Sequence, residues 1–400
     1  MLVFNKFYYP NYRLNFGTCM LEYECDLLCR LVAINTDSTQ RKNYDEITDL
    51  LIGEAERIGL KAEKIVDEKG IPHVMITFHR VPEAKKVVFL THYDVVPAGE
   101  GWEFDPFKPF IKDGKLFGRG AADDKSNIVA ALAAFKEVLE EKLPVKVNPV
   151  LIVAGGEETG EGESFFRKID GDICVVLDSG CEGLSIGASG VARLNVKVLG
   201  KQAHSAYPFR GKNAIYQASK IVSFIEEVAK ETEKKIVSRF YAPTHYEYVP
   251  RRISVTKING GVAANIIPAE CNLLIDVRTI PEENAEKAAE ELKKTIEDYA
   301  EKNGIKVEVE AKAFMNGWYT TDEKIIEKFK EILEEAIGCK VKVVVELGGT
   351  DGVFMIDRMP VIQFGTMREE NNIHGKNEFV YLEDIEKVKN FVKKVITSSF

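Results

Sequence analysis

Five short stretches of the chain carry residue types that hold metal ions or move protons, and most of them follow an apolar run. They are His92-Tyr93-Asp94 after Val87-Val88-Phe89-Leu90, Asp123 in the segment GRGAADDK (118–125), Glu157-Glu158 after the apolar run 150–154, Asp178 after Val175-Val176-Leu177, and His374 in IHGKNE (373–378). A hydrophobic strand that ends on a carboxylate or an imidazole delivers that side chain to the edge of a sheet, where ligands of open α/β folds bind. Two histidines with several carboxylates and no thiolate suit a hydrolytic zinc or cobalt centre better than a structural zinc. An adjacent glutamate pair is commonly a solvated surface feature, but Glu157-Glu158 follow an apolar strand and two glycines. One of the pair can then bind metal while its neighbour turns to a water. Asp123 taken alone could cap a helix beginning near Ser126. His73, His79 and His245 have no such acidic or glycine-rich company and read as surface or packing residues.

The elements that must position these groups are legible in the periodicity. Helical spacing of apolar residues predicts helices over 21–34, 44–59 and 126–140, with another from about Gly162. Strands are expected at 61–66, 73–78, 86–90, 147–154 and 173–177, and strands alternating with helices indicate a sheet covered on both faces. The character changes near Gly187. Strands at 192–199, 252–258, 269–279 and 306–311 with helices at 214–230 and 283–302 form the pattern of a small α+β sandwich with a four-stranded sheet. Helix–strand alternation returns from Thr321, with a Gly348-Gly349-Thr350-Asp351-Gly352 loop and a strand at 360–364. The expected organisation is an N-terminal extension (1–19), a catalytic α/β domain in two parts (20–187 and 313–400) and an inserted α+β domain (188–312). Residues 1–19 are aromatic-rich and nearly free of acids, and lack the apolar core and cleavage site of a signal peptide; Met20 is the candidate natural start.

Composition bounds the function. At 400 residues the chain exceeds what one core usually supports, so two domains are expected. A formal net charge of −9 argues against a nucleic-acid binder, and no apolar stretch approaches the length of a membrane span. The seven cysteines form no Cys-x-x-Cys pair, which points to a reducing cytoplasm rather than a disulfide framework.

The ordered blocks THYDVVP, GRGAADDK, GGEETGEGES, a Leu177-Asp178 strand end, GKQAHSAYP, GGVAANIIPAE and IHGKNE resemble the binuclear-zinc amidohydrolases and exopeptidases. That family includes succinyl-diaminopimelate desuccinylase, acetylornithine deacetylase, aminoacylase and bacterial glutamate carboxypeptidase, and the likeness runs from about Met20 to the C-terminus. The resemblance implies a mixed-sheet zinc-exopeptidase-like catalytic domain with an inserted dimerisation or lid domain. It makes His92 and Asp178 ligands of one metal, Glu158 and His374 ligands of the other, and Asp123 the bridge. Glu157 resembles the general base, and Asp94 the carboxylate that hydrogen-bonds His92. A cis Asp123–Asp124 peptide bond is implied as well.

His204 matches a histidine that, in dimeric relatives, crosses from the partner subunit to polarise the scissile carbonyl. Asn265 and Arg278 match substrate-contacting positions, and the loop with Gly349 and Thr350 matches one that holds the substrate's carboxylate end. That loop departs from its relatives: it is one residue shorter and lacks their serine and arginine. Asp124 and Ser126 replace the usual methionine and glycine. The implied activity is hydrolysis of an amide bond in an N-acyl amino acid or small peptide by a homodimer with two divalent metals, zinc or alternatively cobalt. A dipeptidase or carboxypeptidase is the alternative, and a non-catalytic binding protein on the same fold a remote one.

Overall fold

The computed structural model describes residues 21–400, so the extension expected over 1–19 and the candidate start at Met20 lie outside the described residues. The chain begins with α1 (Glu22–Ala33) and α2 (Tyr44–Arg57), which bury Leu27, Leu28 and Leu31, and Ile47, Leu51 and Ala55, at three- and four-residue spacings. Strands β1 (Lys61–Val66), β2 (Pro72–Thr77), β3 (Lys86–His92), β4 (Phe110–Lys112) and β5 (Lys115–Phe117) follow, then the buried helix α3 (Ser126–Glu140) and β6 (Asn148–Ala154). The helix expected from about Gly162 is the single turn α4 (Glu163–Phe166). It stops because the amides of Lys168 and Ile169 fold back on the carbonyls of Phe165 and Phe166, while both phenylalanines plug into the core. Strands β7 (Ile173–Val176) and β8 (Gly183–Ala188) end this run.

Next come β9 (Val191–Leu199), β10 (Ala203–His204), α5 (Ala214–Lys235), β11 (Val237–Tyr241), β12 (Tyr248–Pro250), β13 (Arg252–Gly260), β14 (Ile266–Ile267), β15 (Glu270–Arg278), α6 (Ala285–Lys302) and β16 (Lys306–Met315). The chain closes with β17 (Trp318–Tyr319), α7 (Glu323–Ile337), β18 (Lys342–Glu346), β19 (Val361–Gln363), β20 (Phe379–Tyr381) and α8 (Leu382–Thr397).

The larger sheet is mixed, in the order β1-β2-β6-β3-β7-β19-β8-β18-β11-β12, with β17 added beside β8. At its centre β6, β3 and β7 run parallel, with Leu90 level with Ile152 and Val176. Their near-continuous apolar sequences are those of strands covered on both faces. Helices α1, α2, α3, α7 and α8 contribute to the core on one side, and Phe165, Phe166, Trp318 and Met355 to that on the other. Because these strands are parallel, their carboxyl ends lie at one edge, where His92, Glu157-Glu158 and Asp178 follow.

The smaller sheet has the order β13-β15-β9-β16, antiparallel throughout. Its helix-covered face buries Ala192, Leu194, Val196 and Val198 of β9 and Cys271, Leu273, Ile275 and Val277 of β15 against α5 and α6. Two features depart from the expected span 188–312. Strand β16 runs on to Met315, and the β11–β12 hairpin belongs to the other sheet, where Tyr241 pairs with Val344 of β18 in parallel. Phe240 seats the hairpin there by lying on Tyr319 with centroids 4.9 Å apart, while Tyr241 stacks on Tyr248 at 4.9 Å within the hairpin itself.

Candidate metal centre

The strand ends converge as their spacing requires. His92 closes β3, and the turn after β6 carries Glu157 and Glu158. That turn needs glycine twice: Gly156 has φ +78°, and a Cβ on Gly155 would collide with the Tyr93 hydroxyl. Asp178 follows β7, Asp123 lies on the turn leading into α3, and His374 sits in the loop before β20 with φ +60°. The Asp123–Asp124 peptide bond is cis.

Two groups of possible ligands result. His92, Glu157 and Asp178 form one, and Asp123, Glu158 and His374 the other, the donor atoms within each lying within 4.8 Å of one another. Asp123 joins them: its Oδ1 is 3.1 Å from His92 Nε2 and its Oδ2 is 3.0 Å from His374 Nε2. Glu158 Oε2 stands 3.1 Å from His374 Nε2, and Asp178 Oδ2 and Glu157 Oε2 lie 3.9 and 4.0 Å from His92 Nε2.

Electrostatics make the group incomplete as protein alone. Burial, then the charges of Asp351 and Asp178, hold the Glu157 carboxyl well above the usual range. Burial and the Asp123 charge push Asp178 up to about 7. Hydrogen bonds to Asp123 and Glu158 raise His374 to about 10. Glu158 Oε1 is buried and has no hydrogen-bond partner. Crowded buried carboxylates need compensating cations. Imidazole and carboxylate donors in two groups sharing one aspartate fit two divalent metal ions.

The surrounding hydrogen bonds hold the ligands. His92 Nδ1 faces the Asp94 carbonyl at 3.0 Å; a carbonyl only accepts, so Nδ1 carries the proton and Nε2 keeps its lone pair for a metal. The Asp94 carboxylate, expected to orient His92, lies 3.6 Å from Nδ1. It also accepts the backbone N–H groups of Glu157 at 3.3 Å and Glu158 at 3.2 Å, which fixes the turn carrying both glutamates. Asp124 accepts the His92 N–H at 3.1 Å. The fully buried pair Arg119–Glu378 spans two ligand loops. Glu378 accepts the N–H groups of Gly120, Ala122 and Asp123, while Arg119 donates to the carbonyl of Gly375, next to His374.

His73 packs as expected, with a structural duty added. Its ring stacks on Phe165 at 3.7 Å, and its Nδ1 accepts the Gly155 N–H, which braces the glutamate turn from behind. Burial pushes this imidazole down to about 4. It therefore stays neutral in the folded protein through a range where the unfolded chain takes a proton near pH 6.5. The unfolded state binds more protons between those values, so stability falls as pH drops from about 6.5 to about 4, by ~3 kcal/mol from this group. Urea unfolding across that range should show the loss, and His73→Asn should flatten it.

The centre opens into a cleft of about 350 Å³ lined by Ser179, Glu346, Gly349, Thr350 and Arg368 together with the metal-site residues. Pro243 and Thr244, at the tip of the β11–β12 hairpin, form part of its wall. Of the residues expected at the substrate, Gly349 and Thr350 line this cleft, and the Thr350 hydroxyl is buried without a partner. His204, Asn265 and Arg278 do not line it. His204 and Asn265 stand together on the exposed β10–β14 turn, the Ser205 N–H donating to the Asn265 carbonyl at 3.0 Å. Sequence reasoning passed over Asp351, which is buried beside the carboxylates; the only signal was that the shortened glycine loop places an aspartate there.

Fold and site together define a hydrolase built on a mixed α/β sheet, with a two-metal ligand set at the carboxyl edge of its central strands. The family model for "Peptidase family M20/M25/M40" matches residues 88–398, and the chain belongs to that family. It is a metal-dependent hydrolase of amide or peptide bonds. A succinyl-diaminopimelate desuccinylase from Sulfurovum sp. (strain NBC37-1) is 26% identical over 348 residues, covering 83% of this chain and 88% of its own. Among solved structures, an M20 family metallo-carboxypeptidase from Sulfolobus solfataricus superposes with a TM-score of 0.74 at 19% identity, covering 94% of this chain and 99% of that one. A tripeptidase from Staphylococcus aureus gives 0.74 at 22% identity, covering 94% and 97%.

Proposed function

We propose that this protein hydrolyses the amide bond of an N-acyl amino acid or short peptide, with Glu157 as general base and then acid. The observation that carries this reading is Asp123 straddling His92 and His374, with Glu157 on one flank and Glu158 on the other. His92 and Asp178 would hold one metal, Glu158 and His374 the second, and Asp123 both. Two divalent cations held there, zinc or alternatively cobalt, supply Lewis acidity that polarises a bound carbonyl and lowers the pKa of a nearby water. Glu157 takes a proton from the attacking water and passes it to the departing amine. A carboxyl held above its usual range, as burial and Asp351 hold this one, is the stronger base in the first step and keeps the proton until the amine takes it.

His204 has a place in this scheme if a second copy brings it over the cleft, where its ring N–H would donate to the carbonyl oxygen as charge develops. Tyr207 stands beside it and Phe209 beside Tyr207, and these two with Tyr216 and Val262 are exposed apolar residues of the smaller unit, suited to burial in a homodimer. Mixing His204→Ala with Glu157→Gln under subunit exchange tests this: activity returns in mixed dimers if His204 acts across the boundary, and fails to return if it acts within its own chain. Among the described residues no helix is long and apolar enough to cross a membrane, and the cysteine pattern favours the cytoplasm.

The reading is tested by metal analysis joined to a screen of N-acetyl and N-succinyl amino acids and dipeptides with zinc or cobalt added. A protein that binds no divalent metal and cleaves none of these refutes it. Glu158→Gln and His374→Ala should each lower the occupancy of one metal and leave the other, as counted by elemental analysis of the purified variants.

A further inference from the structure

One wall of the metal cleft is the tip of a β-hairpin. In the order of the larger sheet, β6, β3 and β7, which deliver the glutamate pair, His92 and Asp178, stand on one side of β19, and β18 and β11 stand on the other. A series of contacts runs outward between them. Ser179, next to Asp178, donates its hydroxyl to Glu346 Oε1 at 2.7 Å. Glu346 closes β18, and Val344 of β18 pairs with Tyr241, the last residue of β11. Pro243 and Thr244 follow, and line the same cleft as Asp178 and Glu346.

This wall is braced from several sides. The Ala242 N–H donates to the Glu247 carbonyl at 3.1 Å, which closes the tip to the four residues 243–246. Within the tip the Thr244 hydroxyl oxygen accepts the Tyr246 N–H at 3.4 Å, and the proline ring fixes φ at 243. The Tyr246 hydroxyl donates to Glu233 of α5, and Phe240 lies against Tyr319. Glu282, beyond β15, accepts the Ser238 hydroxyl at 2.9 Å and the Arg239 N–H at 3.3 Å. A tip held by elements of both sheets resists being pushed aside by a ligand. It also brings no ionisable group to a cleft otherwise lined by Glu182, Glu346, Arg368 and Glu369. A neutral and braced wall selects by shape rather than by charge. The space it bounds, about 350 Å³, is near the lower limit of the ~300–1,000 Å³ found for small-ligand sites.

Resting on the amide-hydrolase reading, we propose that the β11–β12 hairpin tip sets the length of the substrate. Pro243 and Thr244 stop the end that lies away from the metals, so that an N-acyl amino acid or a dipeptide fits and a tetrapeptide does not. Each added residue lengthens an extended chain by ~3.3–3.6 Å, so a tetrapeptide projects about 7 Å beyond a dipeptide held at the same metals. To bind, it must displace the tip and break the bonds that brace it. The wall belongs to the same chain as the metal ligands, so this limit holds whether or not a second copy is present.

The test measures kcat/KM of the metal-loaded protein on di-alanine and tetra-alanine, together with calorimetric binding of both to metal-loaded Glu157→Gln, which needs no turnover. The native protein should favour di-alanine ~10-fold or more, the discrimination expected when a ligand group meets a filled pocket. Pro243→Gly combined with Thr244→Gly lowers the wall and should raise the use of tetra-alanine relative to di-alanine ~10-fold. Tyr246→Phe removes only the tie to Glu233, keeps the tip's own residues, and should shift the ratio part of the way. Equal or greater use and binding of tetra-alanine by the native tip, or a ratio that neither variant moves, overturns the proposal. Length-dependent binding that these variants relax, without cleavage of either peptide or of acetylated amino acids, would uphold the hairpin's role and count against the hydrolase reading instead. Cleavage without length preference does the reverse.

Discussion

Replacing Glu157 with glutamine lowers turnover by ~10²–10⁴-fold, the usual cost of losing a general base, and leaves both metal equivalents bound. The two halves of this expectation come from different observations. Glu157 Oε2 lies 4.0 Å from His92 Nε2, near enough to face a water between the groups. His92 and Asp178 remain as ligands on that side when its charge is gone. Glutamine keeps the shape and the backbone N–H that bonds to Asp94, so the turn holds. Elemental analysis and steady-state kinetics on the same preparation decide the matter. Loss of a full metal equivalent would make Glu157 a ligand, and a kcat near that of the native enzyme would remove it from the chemistry.

The second large effect is expected far from any reacting atom. Glu378→Ala should destabilise the protein by ~3–5 kcal/mol, because removing one partner leaves the buried Arg119 charge without compensation. Three backbone N–H groups on the turn that carries Asp123 lose their acceptor at the same time. The turn and the His374 loop are tied through this pair, so metal affinity should fall alongside stability. Urea unfolding of the metal-free protein isolates the first consequence, and metal titration of the folded variant measures the second. A stability change below ~1 kcal/mol would show that water or rearrangement satisfies Arg119, contrary to its full burial.

The candidate site residues of the central strands were legible because a strand-end rule places them: an apolar run that closes on an acid or imidazole, in the glutamate turn after two glycines. His92, Glu157, Glu158 and Asp178 follow it, and β3, β6 and β7 are neighbouring parallel strands. Asp123 and His374 lie on turns; their residue types marked them as candidates, and their roles as bridge and ligand came through the resemblance rather than through periodicity. The clamp of Arg119 and Glu378 joins residues 259 positions apart, and no local pattern announces such a pair. Asp94 was found beside His92, but its bonds to the Glu157 and Glu158 N–H groups were not, because a strand places two side chains on one side without saying which backbone groups the next turn will present. The β11–β12 hairpin escaped notice for a different reason. Its strands are five and three residues long, too short for alternation to register, and they are held by edge pairing to β18 and by aromatic contacts supplied from elsewhere.

That hairpin changes what kind of object the smaller unit is. The chain passes between the two sheets near residues 189–190, again at Ile236, again at Arg251, and last near 316–317. A single insertion would need two passages. The smaller unit is therefore threaded rather than inserted, and cannot be cut out at its ends: a fragment spanning 189–315 would carry β11 and β12 without β18 and leave Phe240 without Tyr319. Neither sheet can finish before the other has begun. Strand β18, more than 90 residues downstream, must arrive before the hairpin has a neighbour. Such long closures are slow to form, so assembly of this protein should proceed as one concerted event rather than body by body.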